Sequence, residues 1–450
     1  MRKNTLAPTT WMYVAVLLAG LPGLAGFAQA QTGPPPNIIL IVIDDIGYGD
    51  LGCYGSAIQE TPHIDRLAES GMRMTDFHTN GPVCSPTRAA LLTGQYQQRS
   101  GIESAIGFTK DEGMPLSKQT IAERLAEKGY VSGVFGKWHV GHVSRFGPND
   151  QGFRSSVVSN NSPDYQTHVS RVGELDWFKD QRLLDEPGYL TDLVTAHTLE
   201  FIETNKAKPF FAFVSHIACH FPFQGPDDPP HRTLGKIWHD TKYGPLPESE
   251  YKRAYHDMLK AVDESVGKMT GYLEQNGLSE NTLIVITSDN GAYSWVGSNA
   301  PLRGQKGDLF EGGHRVPMIV YWPGHIEPGS VSKATAMTMD LLPTFLHIAG
   351  IDPDPDQVVD GSDITDIWTG KRDGLARTLF WRFNNSYTQA KACAVREGSW
   401  KYVEQDGETY LFNLDADLEE QRNLAGEHPE RVRQFRSAFA TWESEVTTNP

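Results

Sequence analysis

Ile38-Ile39-Leu40-Ile41-Val42-Ile43 is a run of six apolar residues with no polar position among them. A strand with one wet face alternates polar and apolar residues. A strand that does not alternate is buried on both faces, as in a parallel sheet covered by helices. One such run could equally belong to a buried helix, so its recurrence carries the argument. Similar runs return at 131–135, 210–214, 283–287 and 316–321. Helical patterns separate them. Thr61-Pro62 opens one that stops at Gly71, Ser117 opens another that stops at Gly129, and amphipathic stretches cover about 190–204 and 250–275. This alternation predicts an α/β fold, a large mixed and mostly parallel sheet sandwiched by helices.

The pattern changes after about residue 370. Thr378–Phe383, Cys393–Val395, Trp400–Val403 and Tyr410–Leu414 are short strand-like pieces. A helix follows, with Pro429 in its first turn and Val432, Phe435, Phe439 and Trp442 on one face. These predict a small antiparallel sheet with one covering helix. The expected organisation is a signal peptide at 1–30, a Gly/Pro linker at 31–36, a main α/β domain at 37–372 and a C-terminal α+β part at 373–450.

Residues 1–30 have a basic start at Arg2 and Lys3, an apolar stretch from Met12 to Leu24 and a small-residue cleavage site at Ala28-Gln29-Ala30. Gly20, Pro22 and Gly23 interrupt that stretch, which makes it a poor membrane span. Export to the periplasm or medium, without membrane insertion, is the expectation. The whole chain has net charge −16, and loss of residues 1–30 removes two cations to leave −18. A surface so acidic repels nucleic acid. Four cysteines allow at most one disulfide if one of them has a chemical role.

Ligands in open α/β sheets sit beyond the carboxyl ends of the strands. Asp44-Asp45 follow the first run, Lys137-Trp138-His139 the second, His216 and His220 the third, and Asp289-Asn290 the fourth. Singly, each has an ordinary reading as a cap, turn or surface loop. Four buried strands that all end in ionisable or oxygen-bearing residues predict one convergent site. Asp44, Asp45, Asp289 and Asn290 offer oxygen donors without thiolate or imidazole, a set for Ca²⁺ or Mg²⁺ rather than Zn²⁺. Lys137, His139, His220 and Lys306 add positive charge. A dication beside several cations suits an oxyanion, sulfate or phosphate. The segment from Cys84 to Gly94 reads as a short helix with Cys84 at its cap and Arg88 one turn along. A cysteine there is either a nucleophilic thiolate of lowered pKa or a buried cap residue.

Cys84-x-Pro86-x-Arg88, followed by an apolar stretch and Thr93-Gly94, resembles the signature of the formylglycine-dependent (type I) sulfatases of the alkaline phosphatase superfamily. Asp44-Asp45 with Gly47-Tyr48-Gly49-Asp50, then Gly136-Lys137-Trp138-His139, His220-Phe221-Pro222, Ser288-Asp289-Asn290-Gly291 and the stretch 304–313 occur in the family's order. Residues 396–402 and 411–414 resemble its C-terminal sheet, and Thr87 stands where many members have Ser. The resemblance implies an alkaline phosphatase-like fold. It also implies that a formylglycine-generating enzyme converts Cys84 to Cα-formylglycine, whose hydrate is the nucleophile. One Ca²⁺ would then be held by Asp44, Asp45, Asp289, Asn290 and residue 84. Lys137 and Lys306 would hold the sulfate oxygens, and Arg88 would orient the hydrate. His220, assisted by Lys306, would protonate the departing alcohol, and His139 would take the proton that lets sulfate leave.

Exported members of this kind resemble polysaccharide-degrading enzymes, so a sulfated carbohydrate is the expected substrate. His216, Arg303 and Trp295 are candidate substrate contacts. Trp138, Phe221, Phe223 and Tyr293 are further rings that could stack on sugars, and His142 and Arg382 further cations. Two alternatives stay open. One is a phosphonate monoester or phosphodiester hydrolase of the same superfamily, and the other a non-catalytic Ca²⁺-dependent carbohydrate-binding protein with Cys84 unmodified.

Overall fold

The structure, a computed structural model, describes Met1 and residues 34–108, 112–238, 243–385 and 391–448. The expected signal peptide, apart from Met1, and the first half of the linker lie outside the described residues. Residues 35–450 form one compact unit.

In chain order the large sheet comprises β1 (Asn37–Ile43), β2 (Met72–His78), β3 (Val131–Lys137), β4 (Ser155–Ser159), β5 (Phe178–Lys179), β6 (Arg182–Leu183), β7 (Phe210–His216), β8 (Thr282–Ser288), β9 (Arg315–Tyr321), β10 (Ser330–Ser332) and β11 (Ala336–Met337). Across the sheet they run β10-β2-β9-β8-β1-β7-β3-β4-β5-β6, with β11 paired to β2. The central strands β8, β1, β7, β3 and β4 are parallel. The apolar run at 316–321 lies in β9, which is antiparallel to both β8 and β2. The sheet is therefore mixed and mostly parallel, as expected.

Strand periodicity divides β1 between two cores. Ile38, Leu40 and Val42 join Ala89, Leu91 and Leu92 of one helix, Ile121 and Leu125 of another, and the helix Leu341–Ile348. Ile39, Ile41 and Ile43 face the opposite layer, with Ile64 and Leu67, Val194 and Phe201, and Met258, Val262 and Val266. Each fully buried side chain of this size stabilises the fold by about 1.5–3 kcal/mol relative to exposure. A strand apolar on both faces cannot choose its register by pattern alone. The strand ends supply that choice. Asp44 N–H donates to Ala218 O (3.0 Å), Asp44 O accepts from Cys219 N–H (2.6 Å), and Ser288 Oγ donates to Ile43 O (3.0 Å).

One expectation needs correction, and one strand was not foreseen. The helix expected from Ser117 to Gly129 is only Ile121–Ala126, because Thr120 and Glu123 form a capping box that fixes a later start. β2 has no apolar run. Arg73 and Asp76 interrupt it, and the buried Asp76 carboxylate is compensated by Arg315 (3.1 Å) and Arg396 (2.7 Å).

β12 (Thr378–Asn384), β13 (Lys391–Glu397), β14 (Trp400–Gln405) and β15 (Glu408–Asn413) form an antiparallel meander. The helix Pro429–Thr448 covers it with Val432, Phe435, Trp442 and Val446. The meander shares a hydrophobic cluster with Leu309, Phe310, Met337 and Met339. Beside that cluster lies a buried ionic seam, in which Lys401 bridges Glu311 (2.8 Å) and Glu420 (3.0 Å) and Arg315 binds Glu311 (3.0 Å). No helix among the described residues is long and apolar enough to cross a membrane.

Candidate active site

The carboxyl ends of the parallel strands do converge. Asp44 and Asp45 leave β1, Lys137 ends β3 with His139 two residues on, and Asp289 and Asn290 leave β8. Carboxylate oxygens of Asp44, Asp45 and Asp289 lie within 4.8 Å of one another, and all three side chains are buried. The helix α1 (Cys84–Thr93) brings in Cys84 and Arg88, both buried. Gly136 lets β3 pass β7 closely here. Its φ is +107°, and a Cβ would lie 1.9 Å from Ser215 O.

Arg88 organises the floor. Its Nε and Nη2 both reach Asp289 Oδ2 (3.0 and 2.8 Å), and Nη1 donates to Lys137 O (3.0 Å) and Ser215 Oγ (2.5 Å). The Lys137 ammonium pairs with Asp44 Oδ2 and the Lys306 ammonium with Asp45 Oδ1. Asn290 Nδ2 donates to Asp45 Oδ1 (2.7 Å). Three carboxylates thus meet three cations. Burial pushes the Asp44 carboxyl up against the pull of Lys137, and burial with Asp44 pushes Asp289 up against Arg88.

Charge balance still leaves acceptors over. Asp44 Oδ1, Asp45 Oδ2 and Asn290 Oδ1 are buried without a hydrogen-bond partner. An unmatched buried polar atom costs about 1–3 kcal/mol, so three beside a carboxylate trio mark a place built for something that binds oxygen. These donors fit a hard divalent cation such as Ca²⁺.

Each of the two histidines commits one ring nitrogen to a backbone carbonyl. His139 has φ +55°, a strained conformation of the kind found at functional sites. Its Nε2–H donates to Ile106 O (3.0 Å), which leaves Nδ1 buried with an unshared lone pair. Burial, then Lys137 and Arg88, holds it neutral, well below the usual histidine range. His220 donates from Nδ1 to Phe221 O (2.7 Å), and its Nε2 lies 3.8 Å from Asp45 Oδ2. Burial, then Lys137 and Lys306, likewise depresses its pKa. Burial works against the Lys306 ammonium, but Asp45, Tyr293, Cys84 and Asp44 together outweigh it and keep that proton firmly bound.

Cys84 is the first residue of α1, one position inside the cap Val83. Burial pushes its thiol up although Lys137 and Lys306 pull it down. The lowered-pKa thiolate is therefore not what the fold creates. Arg88, expected to lower it, is engaged by Asp289 instead. All four cysteines are free thiols.

The substrate candidates separate. His216 is fully buried, with Nε2 3.2 Å from Ser265 Oγ, and burial depresses its pKa to about 3. Arg303 lies 3.9 Å from the Phe310 ring centroid and donates to Glu420 O (2.8 Å), so it joins the C-terminal part. Trp138 and Phe223 are buried, and Arg382 is bound by Glu103 and Glu443. Trp295 is half-buried, within 5.1 Å of Tyr243 and 6.0 Å of Tyr293 between ring centroids. Sequence reasoning missed Ser215 and Tyr255. Ser215 shares its face of β7 with Phe213, the face that α1 covers, so strand period could have found it. Tyr255 donates to Asp45 O (3.1 Å) and Asp50 Oδ2 (2.6 Å) from a helix far along the chain, and no local signal marks it.

Comparison with known proteins follows the same residues. Residues 36–351 match the family profile described as Sulfatase, and residues 305–438 that of the N-sulphoglucosamine sulphohydrolase C-terminal region. N-acetylgalactosamine-6-sulfatase of Canis lupus familiaris is 35% identical over 391 residues, 81% of this chain and 71% of the relative. Arylsulfatase A of Homo sapiens is 34% identical over 406 residues, 84% of this chain and 76% of the relative. The crystal structure of Ps i-CgsB in complex with k-i-k-neocarrahexaose matches with a TM-score of 0.82 at 28% identity, covering 92% of this chain and 94% of that one.

Proposed function

Because the chain belongs to the sulfatase family, we propose that it removes sulfate from a sulfated poly- or oligosaccharide, with residue 84 as Cα-formylglycine providing the nucleophile. The observation that carries this reading is the set of unpartnered buried oxygens on Asp44, Asp45 and Asn290, in a site whose charges act on Cys84. Asp44, Asp45, Asp289, Asn290 and residue 84 would hold one Ca²⁺, which would supply Lewis acidity toward the oxygens of the ester and of the nucleophile.

The chain's own groups do the rest. Arg88, fixed by Asp289, Ser215 and the Lys137 carbonyl, orients residue 84 from a geometry that cannot turn. Lys137 and Lys306 reach the sulfate oxygens and stabilise the charge that grows there. His220 acts from its doubly protonated form, in which Nε2 also carries a proton, and delivers that proton to the departing alcohol, with Lys306 as second donor. His139 accepts a proton at its free Nδ1 as sulfate is released. Each backbone carbonyl takes one ring proton, Ile106 O that of His139 Nε2 and Phe221 O that of His220 Nδ1, so the nitrogens left for proton transfer are His139 Nδ1 and His220 Nε2.

In this reading residues 1–30 are a cleaved export signal and a formylglycine-generating enzyme matures Cys84 before the protein reaches the periplasm or medium. Residues 37–372 are its catalytic part and 373–450 its C-terminal part. The test measures sulfate release from defined sulfated oligosaccharides beside matched aryl sulfate and aryl phosphodiester esters. The peptide containing residue 84 is weighed in the same preparation, and conversion lowers its mass by about 18 Da, H₂S lost and O gained. A faster phosphodiester would move the reading to that reaction. An unmodified, inactive protein that binds sulfated sugar would make it a binding protein.

A further inference from the structure

A groove of about 720 Å³ is lined by Tyr243, Leu246, Glu248, Tyr251, Trp295 and two prolines. A continuous series of rings joins it to the site. The His220 and Phe221 centroids are 4.2 Å apart, Phe221 and Tyr243 5.0 Å, and Tyr243 and Trp295 5.1 Å. A second line runs from Trp295 to Tyr293, whose ring lies 5.3 Å from the Lys306 ammonium. Tyr243 is 39% exposed and Trp295 half-buried, so both offer free ring surface, whereas Tyr251 is buried beneath them.

Charge decides what such a surface can take. Glu248 is the single charged residue in the lining among the described residues, and it is exposed. Aromatic faces and prolines desolvate the C–H face of a pyranose well, while Glu248 accepts hydrogen bonds from its hydroxyls. Among the described lining residues, a uronate or a second sulfate placed there would meet a carboxylate and no cation. This contrasts with the site next door, which gathers Arg88, Lys137 and Lys306. We propose that the groove binds an uncharged pyranose adjoining the sulfated sugar, and so selects substrates whose sulfated residue has a neutral neighbour. The inference rests on the carbohydrate reading above and narrows it.

The test uses the full, matured enzyme and compares kcat and KM on 4-nitrocatechol sulfate and on matched sets built on N-acetylgalactosamine 6-sulfate and galactose 6-sulfate. Each set contains the monosaccharide, a disaccharide with a neutral hexose neighbour and a disaccharide with a uronate neighbour. The neutral disaccharide should be preferred over the monosaccharide, and Trp295→Ala or Tyr243→Ala should reduce that preference about tenfold, the effect of losing one aromatic anchor. The loss should fall on KM, with Trp295→Phe restoring most of it. Glu248→Lys should shift preference toward the uronate disaccharide. Equal kcat/KM for monosaccharide and neutral disaccharide, or variants that slow every probe alike, overturns the inference and leaves the carbohydrate reading standing. Hydrolysis of the aryl sulfate with neither sugar set removes that reading and the groove's role together.

Discussion

If His220 protonates the leaving alcohol, the need for it is set by how badly the alcohol requires a proton. Its Nδ1–H is committed to Phe221 O at 2.7 Å, its ring lies tilted against Phe221, and only Nε2 is left to face the site. His220→Ala deletes that donor and leaves Lys306, a group that holds its proton tightly. General-acid catalysis contributes about 10²–10⁴-fold, and with Lys306 as partial replacement the lower half of that range applies to sugar sulfates. A loss of about 10²–10³-fold corresponds to roughly 3–4 kcal/mol of transition-state stabilisation. Nitrocatechol departs as a stable phenolate and needs no proton, so its sulfate should lose under about tenfold. The assay is kcat/KM for wild type and variant over esters of graded alcohol acidity, plotted against leaving-group pKa. A steeper line in the variant is expected. A donor whose pKa is depressed by burial is charged only in acid, so sugar-sulfate turnover should also fall as pH rises toward neutrality, and nitrocatechol sulfate turnover should not. Parallel lines for the two enzymes, with equal losses on sugar and aryl esters, would refute the assignment.

Cys84→Ala should abolish turnover and cost only about 1 kcal/mol of stability, the loss of one buried heavy atom; full activity in a folded variant would take the nucleophile elsewhere. Chelation with EDTA should lower the melting temperature, and Ca²⁺ at a hundred times its Kd should restore about 2.7 kcal/mol. Asp289→Asn should blunt that response, and identical melting with and without Ca²⁺ would speak against the ion. Burial opposes the Asp76 charge, but Arg315, His78 and Arg396 outweigh it and hold its carboxyl far below the usual range. Its stabilisation is thus fully present above the unfolded value of about 3.9 and is lost as pH falls through the depressed one. Asp76→Asn should cost about 3–5 kcal/mol at pH 7 and flatten the acid limb of the urea midpoint against pH, and an unchanged limb would exclude the seam as its cause.

The central sheet was legible because strands buried on both faces leave no alternation to confuse, and because their ends carry the chemistry. β1, β3, β7 and β8 each stand where an apolar run does, and Asp44, Lys137, His220 and Asp289 come after them. Illegible parts depend on partners distant in sequence. β2 carries Asp76, which reads as a loop residue until Arg315 and Arg396 neutralise it. Arg303 reads as an anion binder until Phe310, Tyr410 and Glu420 surround it. Cys84 reads as an activated thiol because helix position is local and visible, whereas its burial and the engagement of Arg88 by Asp289 are not.

The packing of the meander on residues 303–311 makes the C-terminal part a clamp on the loop that carries Lys306. Lys306 stands between two pins, Arg303 Nη1 on Glu420 O (2.8 Å) and Leu309 N–H on Gln405 Oε1 (2.8 Å). Gln405 also donates to Asp308 Oδ1 (3.0 Å), and Glu420 accepts from Glu311 N–H (2.7 Å). Without these pins the loop would regain backbone freedom worth about 1–2 kcal/mol per residue, and Lys306 would reach its place only part of the time. A chain cut before Lys391 would keep every strand that ends in the site and still lose the restraint on the loop that carries Lys306. Changes at Gln405 or Glu420 should therefore surface as kinetic defects, and drift in the meander is constrained by chemistry that it never touches.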